Sequence, residues 1–161
     1  MKITYHVGDA TQPVGDGHKI IVHNVNSIGV WGAGFVVALS NKWAAPEAYY
    51  RRWHRLGYTN MTPFQLGQVQ IVPVESKIQV SNLIGQSGCG PYYGLVPVRY
   101  ESIHEGLLRL RSYMDTFSYT PSVHAPRLGA GISGGDWNKI EAIINEVFED
   151  TRYSFTVYDL P

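Results

Sequence analysis

A three-layer α/β domain is predicted from three features of this chain. Short apolar runs that read as strands alternate with longer segments of helical spacing along its whole length. One of those runs, Ile20-Ile-Val-His-Asn-Val-Asn26, turns polar at His23, Asn24 and Asn26, then passes through a glycine-rich loop into a helix-like segment from Phe35. A second unit repeats the plan. A short apolar segment near Ala125 leads through Gly129, Gly131, Gly134 and Gly135 to a helix with apolar residues at Trp137, Ile140, Ile143, Ile144, Val147 and Phe148. Polar side chains at the end of a buried strand mark the carboxyl edge of a sheet, where open α/β folds place ligands.

In chain order, residues 2–7 alternate and read as a strand that stops at Gly8-Asp9. Residues 18–24 form a second, more buried strand after a loop containing Pro13, Gly15 and Gly17. Residues 35–42 read as a short helix ending near Ala45-Pro46, and residues 47–56 as a second helix ended by Gly57. Residues 59–67 are expected as a long loop. Strands over 68–73 and 77–84 follow, joined by a short turn. Residues 99–114 carry Ile103, Leu107, Leu108 and Leu110 at helical spacing. A strand over 122–127, the last helix and a closing strand over 154–158 complete the series. No repeat, charge block or low-complexity linker interrupts it, so residues 1–161 are expected to form one domain.

Charge and composition exclude several classes. Thirteen basic residues balance thirteen acidic ones, which argues against a broad electrostatic face for nucleic acid, though not against recognition of a single nucleotide. No apolar stretch approaches the roughly 20 residues of a membrane span. The amino terminus has no secretory apolar region, and the single cysteine, Cys89, has no partner for an internal disulfide, so a cytoplasmic location is expected. No His/Cys cluster has zinc spacing, and no metal or cofactor is expected. Neither glycine loop ends in Lys-Ser/Thr, so the chemistry of a Walker A loop is not supported. Glycines permit close approach of backbone to ligand, and a helix N-terminus favours an anion. Two such loops suit a diphosphate held without nucleotide hydrolysis.

The chain resembles the macrodomains, α/β/α modules that bind ADP-ribose. Four motifs in order carry the resemblance: Gly8-Asp9-Ala10-Thr11, Ile21-Val-His-Asn-Val-Asn26, Gly32-Ala-Gly34, and Gly129-Ala-Gly-Ile-Ser-Gly134. It implies an α/β/α sandwich with a central mixed sheet. His23-x-x-Asn26, Trp31-Gly-Ala-Gly34 and Pro126-Arg-Leu-Gly-Ala-Gly131 are similar to the branch that contains ADP-ribose-1″-phosphate phosphatases and the terminal ADP-ribose protein glycohydrolase. The implied function is binding of ADP-ribose with hydrolysis of its 1″ substituent, first of all phosphate (Appr-1-p processing). Alternatives are an ADP-ribosyl hydrolase acting on protein or nucleic acid, and a reader that binds without cutting.

The resemblance also implies roles for residues. Asp9, beside Ala10, would accept from the adenine amine; alternatively it is a turn or cap acid. Gly32, Ala33, Gly34 and Phe35 would hold one phosphate. Gly129, Gly131, Ile132, Ser133 and Gly134 would hold the other phosphate and the distal ribose. Asn26 would meet a ribose hydroxyl or water, or instead bond its own turn. His23 is either a general acid/base or a buried histidine satisfied by a backbone carbonyl. Trp137 stacks on the distal ribose or belongs to the core, and Gln86 with Ser87 edges the distal pocket. Asp136 is a general base or a helix cap, the cap being favoured. The glycohydrolase resemblance calls for a lysine nucleophile where this chain has Gln86, so lysine-dependent covalent catalysis is not expected. Tyr92 and Tyr93 either stack on a base or cover the core.

Overall fold

The structure, a computed structural model, describes residues 2–88, 97–131 and 134–161. Its elements run β1 (Ile3–Val7), β2 (Lys19–Asn26), α1 (Phe35–Lys42), α2 (Ala45–Leu56), β3 (Tyr58–Thr59), β4 (Thr62–Pro63), β5 (Val69–Glu75), β6 (Ile78–Gln86), α3 (Tyr100–Met114), β7 (Ser122–Ala125), α4 (Trp137–Phe148) and β8 (Phe155–Asp159). The main sheet has the order β1-β8-β7-β2-β6-β5. Every neighbouring pair is parallel except β5 with β6, which makes the sheet mixed.

Two apolar clusters occupy the two faces of this sheet. Leu107, Leu110, Ile140, Ile144 and Phe148 from α3 and α4 pack with Ile20, Val22, Leu83, Val123, Phe155 and Val157 on one face. Leu39, Tyr50 and Trp53 from α1 and α2 pack with Ile21, Val25, Val72, Val80 and Ile84 on the other. Alternate residues of β2 therefore serve opposite layers, as the period-two pleat requires. A strand buried on both faces is apolar until it emerges, so the polar residues at the end of β2 locate the sheet edge.

Several elements differ from the sequence expectation: α2 begins two residues early, at Ala45, and β5 and β6 run two residues further, to Glu75 and Gln86. β2 runs on to Asn26 through a register shift between Val25 and Asn26, which sets Asn26 opposite Gln86 of β6. The expected 59–67 loop contains the hairpin β3–β4, too short for any periodicity to register. β7 stops at Ala125 rather than at residue 127, because Pro126 has no N–H for a ladder bond. β1 is an edge strand with only Ile3 buried. No helix among the described residues is long and apolar enough to cross a membrane.

Candidate functional site

A cavity of about 760 Å³ opens at the carboxyl ends of β1, β2, β7 and β8, between the loops that follow β2 and β7. Its size lies within the usual range for small-molecule sites. Among its lining residues are Asp9, Ala10, His23, Asn26, Gly32, Ala33, Gly34, Phe35, Gln86, Gly129 and Gly131, all singled out from the sequence. Asp136, Gly134 and Trp137 are not among the described lining residues. Ile132 and Ser133, with Cys89, Tyr92 and Tyr93, lie outside the described residues.

The loop after β2 is held from behind. Asn26, buried, accepts at Oδ1 from the backbone N–H groups of Ile28 (3.0 Å) and Val30 (3.1 Å), and donates from Nδ2 to the Val30 carbonyl at 2.5 Å. The Tyr50 hydroxyl, from α2, reaches both the Asn26 carbonyl (2.6 Å) and Oδ1 (2.8 Å). The turn reading of Asn26 is thus realised, even though the residue also lines the cavity. A circuit of side chains reinforces the same loop. The Trp31 indole donates to Ser40 (2.8 Å), and Ser40 donates to Glu47 (3.1 Å). Arg51 pairs with Glu47 at 2.8 Å and reaches the carbonyls of Gly29 (3.4 Å) and Trp31 (3.3 Å). The circuit begins at the Trp31 indole and returns to the Trp31 carbonyl. Bonding to Arg51 holds the Glu47 carboxyl below its ordinary range.

The loop ends at Gly34, which precedes α1 with φ 79° and ψ −143° and provides no side-chain cap. That conformation is essentially closed to other residues. It aims the uncapped first turn of α1 at the cavity, where free N–H groups and the helix dipole favour an anion. The second loop is braced by its own backbone: Gly135 N–H donates to the Gly129 carbonyl (2.8 Å) and Gly134 N–H to that of Gly131 (3.0 Å). A methyl group on Gly131 would meet no atom of the described residues within 4 Å.

At one end of the cavity Asp9 performs two tasks. Its Oδ1 accepts from the N–H and the hydroxyl of Thr11, both at 2.8 Å, while the carboxylate remains part of the lining. The turn role and a ligand role use different lone pairs of one carboxylate. Nearby, Arg127 forms a forked pair with Asp159 (2.6 and 3.0 Å) and lies over the rings of Tyr5 and Trp137. This pairing raises the Arg127 pKa and lowers that of Asp159. Both residues line the cavity; in the sequence Arg127 enters only as part of Pro126-Arg-Leu-Gly-Ala-Gly131, with no role of its own, and Asp159 not at all. Their pairing spans 32 residues, which no local motif encodes.

Toward the other end, Asn24 donates to Gln86 (2.7 Å) and Gln86 donates to the Gly88 carbonyl (2.9 Å). His23, on the opposite face of β2, packs against Trp31 and Phe35. Its Nε2 meets Asn82 Oδ1 at 2.5 Å, and Asn82 in turn donates to Gln70 Oε1 and the Pro46 carbonyl. With both Asn82 N–H bonds so directed, its oxygen faces the imidazole, which assigns the proton to His23 Nε2. Burial pushes the His23 pKa down to about 4, so the ring is neutral near pH 7. Its partner is a side-chain amide rather than a backbone carbonyl, and its Nδ1 is buried with no partner among the described residues. Asp136 accepts from Asn138 N–H at 2.9 Å as the cap of α4, the favoured alternative. Trp137 packs on Tyr5 and donates to its hydroxyl. Among the described residues no group of three or more His, Cys, Asp or Glu could hold a metal ion.

No family model matches the chain. A Bacteroides thetaiotaomicron protein of unknown function shares 44% identity and superposes with a TM-score of 0.91 over 99% of this chain and 98% of that one. A macrodomain protein from Streptomyces coelicolor shares 42% identity, with a TM-score of 0.83 over 98% of each chain. The Oceanobacillus iheyensis macrodomain solved with ADP shares the fold alone, at 17% identity and TM-score 0.68 over 98% of this chain and 82% of that one. Among curated proteins, the chromodomain-helicase-DNA-binding protein 1-like of Danio rerio is 30% identical across 96% of this chain, which spans only 15% of that relative's length. The mouse counterpart is 27% identical over 99% of this chain and 18% of its own length. The Bos taurus ADP-ribose glycohydrolase OARD1 is 36% identical over 61 residues, 38% of this chain and 40% of that protein. On the full-length likeness to the Streptomyces protein, with the sheet order and paired loops described above, the chain belongs to the macrodomain family.

Proposed function

We propose that the protein binds ADP-ribose in this cavity and hydrolyses the substituent on its distal ribose, with ADP-ribose-1″-phosphate as the first candidate substrate. The observation that carries the reading is one continuous cavity whose lining includes Asp9, the uncapped turn of α1 at Gly34 and Phe35, and the Asn24–Gln86 amide pair. In this reading Asp9 accepts from the adenine amine, Gly32 to Phe35 and Gly129 to Gly131 hold the diphosphate through backbone N–H groups, and Gln86 lies near the distal ribose. Backbone amides bind phosphate without basic side chains, which agrees with a chain of zero formal charge.

The chemistry follows from what lines the Gln86 end. The described side chains there, Asn24 and Gln86, are amides, and His23, which lines the cavity beside Trp31 and Phe35, is neutral with its Nε2–H donated to Asn82. Amides orient water and polarise bonds but do not shuttle protons. Such a site suits a leaving group that departs as a stable anion. In the proposed reaction, water oxygen bonds to C1″, the bond from C1″ to the phosphate oxygen breaks, and the departing phosphate takes the water's proton. A carboxylate ester on the same carbon meets the same requirement. This favours protein acidic side chains as the second substrate class, in keeping with the partial likeness to a glycohydrolase. Remote binding of the adenosine supplies orientation at the reacting end. The test is phosphate release from ADP-ribose-1″-phosphate by the intact chain and by Gly131→Val. Turnover abolished in the variant supports the reading. Tight ADP-ribose binding by the intact chain, with no turnover of either ester, would establish a reader instead.

A further inference from the structure

Zero net charge conceals a separation of charge between the two helical layers. α1 and α2 carry Lys42, Arg51, Arg52 and Arg55 against one carboxylate, Glu47. Residues 99–115 and 136–149, which form α3, α4 and their caps, carry seven carboxylates against four cations. The sheet lies between the layers, so the molecule has a basic and an acidic face.

The basic charge is concentrated on α2. Its buried side is Pro46, Tyr50 and Trp53, and helical spacing sets Arg51, Arg55 and Arg52 successively across the opposite side, all three exposed. Arg51 is anchored to the loop after β2 through the carbonyls of Gly29 and Trp31, which connects this crest to the rim of the cavity at Val30. Exposed aromatic rings flank the arginines: Tyr49 at 43% and Tyr58 at 62% of their full accessibility. Ile28 and Val30 are also exposed at the rim, at 47% each.

From this arrangement we infer that the outer face of α2 is a docking surface for a single-stranded nucleic acid, running beside the mouth of the cavity. Arginines interleaved with exposed aromatic rings match a polyanion that also has π-faces to stack. An acidic peptide would use the cations alone and leave Tyr49 and Tyr58 without a role. The acidic layer behind the sheet repels the same strand and confines it to this face. The surface is independent of the ADP-ribose reading, since neither Arg52 nor Arg55 lines the cavity.

The experiment is fluorescence anisotropy of the full chain with a labelled oligothymidylate of about twelve nucleotides, titrated at several salt concentrations. The proposal expects saturable binding whose affinity falls with salt with a log–log slope of about −1.4, the value for two phosphates neutralised on a single strand by Arg52 and Arg55. The Arg52→Glu/Arg55→Glu double variant is expected to lose tenfold or more in affinity while melting at the same temperature and binding ADP-ribose as before. Tyr58→Ala is expected to weaken the oligonucleotide but not a labelled oligoglutamate of equal charge. Asp9→Ala, which tests the nucleotide cavity, is expected to leave oligonucleotide binding unchanged. Absence of binding at low salt, indifference to the double variant, or equal affinity for the oligoglutamate would overturn the proposal.

Discussion

Single residues in this site satisfy the fold and line the cavity at once. Asp9 illustrates this, because Thr11 occupies one carboxylate oxygen and leaves the group within the cavity lining. Asp9→Ala is expected to weaken ADP-ribose binding by about 1.5–3 kcal/mol, the range for hydrogen bonds to charged groups. Calorimetric titration of the folded variant measures it, and unchanged affinity would remove Asp9 from the adenine role. Gly131 offers the converse test. A side chain there would meet no described atom within 4 Å, so Gly131→Val is expected to abolish ligand binding with stability altered by less than about 1 kcal/mol. A large fall in melting temperature would show that the valine strains the loop itself. His23 and Asn26 mark where sequence reading stops. Their types suggested chemistry, but their partners, Asn82 and Tyr50, come from β6 and α2. Those partners follow from strand register and helix docking, which no local pattern encodes.

Elements were legible wherever apolar periodicity was long enough to count. α3 with Ile103, Leu107 and Leu110, and α4 with Ile140, Ile144 and Phe148, present their apolar residues at helical spacing, and these are the residues buried. The two-residue strands of β3 and β4 offer no period, and β1 is largely exposed, so its alternation had less meaning than that of β2. The loop after β2 was legible as glycine-rich but not as braced. Its brace belongs to α2, through Glu47, Tyr50 and Arg51. Arg51→Met removes the ends of the circuit while preserving the aliphatic stem. It is expected to lower ADP-ribose affinity several-fold and to leave the much weaker binding of adenosine unchanged, because the loop it braces is the one proposed to hold the diphosphate. Stability should fall by no more than about 1 kcal/mol, as for other exposed ion pairs. Parallel titrations of the two ligands check the distinction, and equal losses for both would contradict it.

For the whole molecule, burial of neutral histidines couples stability to pH. His23 and His124 both have pKa values pushed down to about 4, in each case mainly by burial, with Lys19 adding to the effect at His124. His124 bonds to Tyr158 and Ser122, each at 2.7 Å, and Tyr158 also lines the cavity. An unfolded histidine binds its proton near pH 6.5 whereas these do so only near 4. Their contribution is therefore complete above about pH 6.5 and is lost as pH falls from there toward 4. Each neutral histidine contributes a slope of about 1.4 kcal/mol per pH unit across that window. Denaturant titrations at pH 7 and pH 5 are expected to show the loss, and His23→Gln to reduce it by about half; a flat profile would contradict the buried neutral state. At this scale the layered fold and the two glycine loops could be read from the chain, whereas the opposed charge of the two faces could not, because a sum of zero carries no positions. The most direct test of the account is calorimetric titration of the intact protein with ADP-ribose, using AMP and ADP as controls. The account predicts saturable one-site binding with clear preference for ADP-ribose over both, reflecting contacts to both phosphates and the distal ribose. Failure to bind ADP-ribose, or equal affinity for AMP, would mean that the cavity between the glycine loops does not serve this ligand.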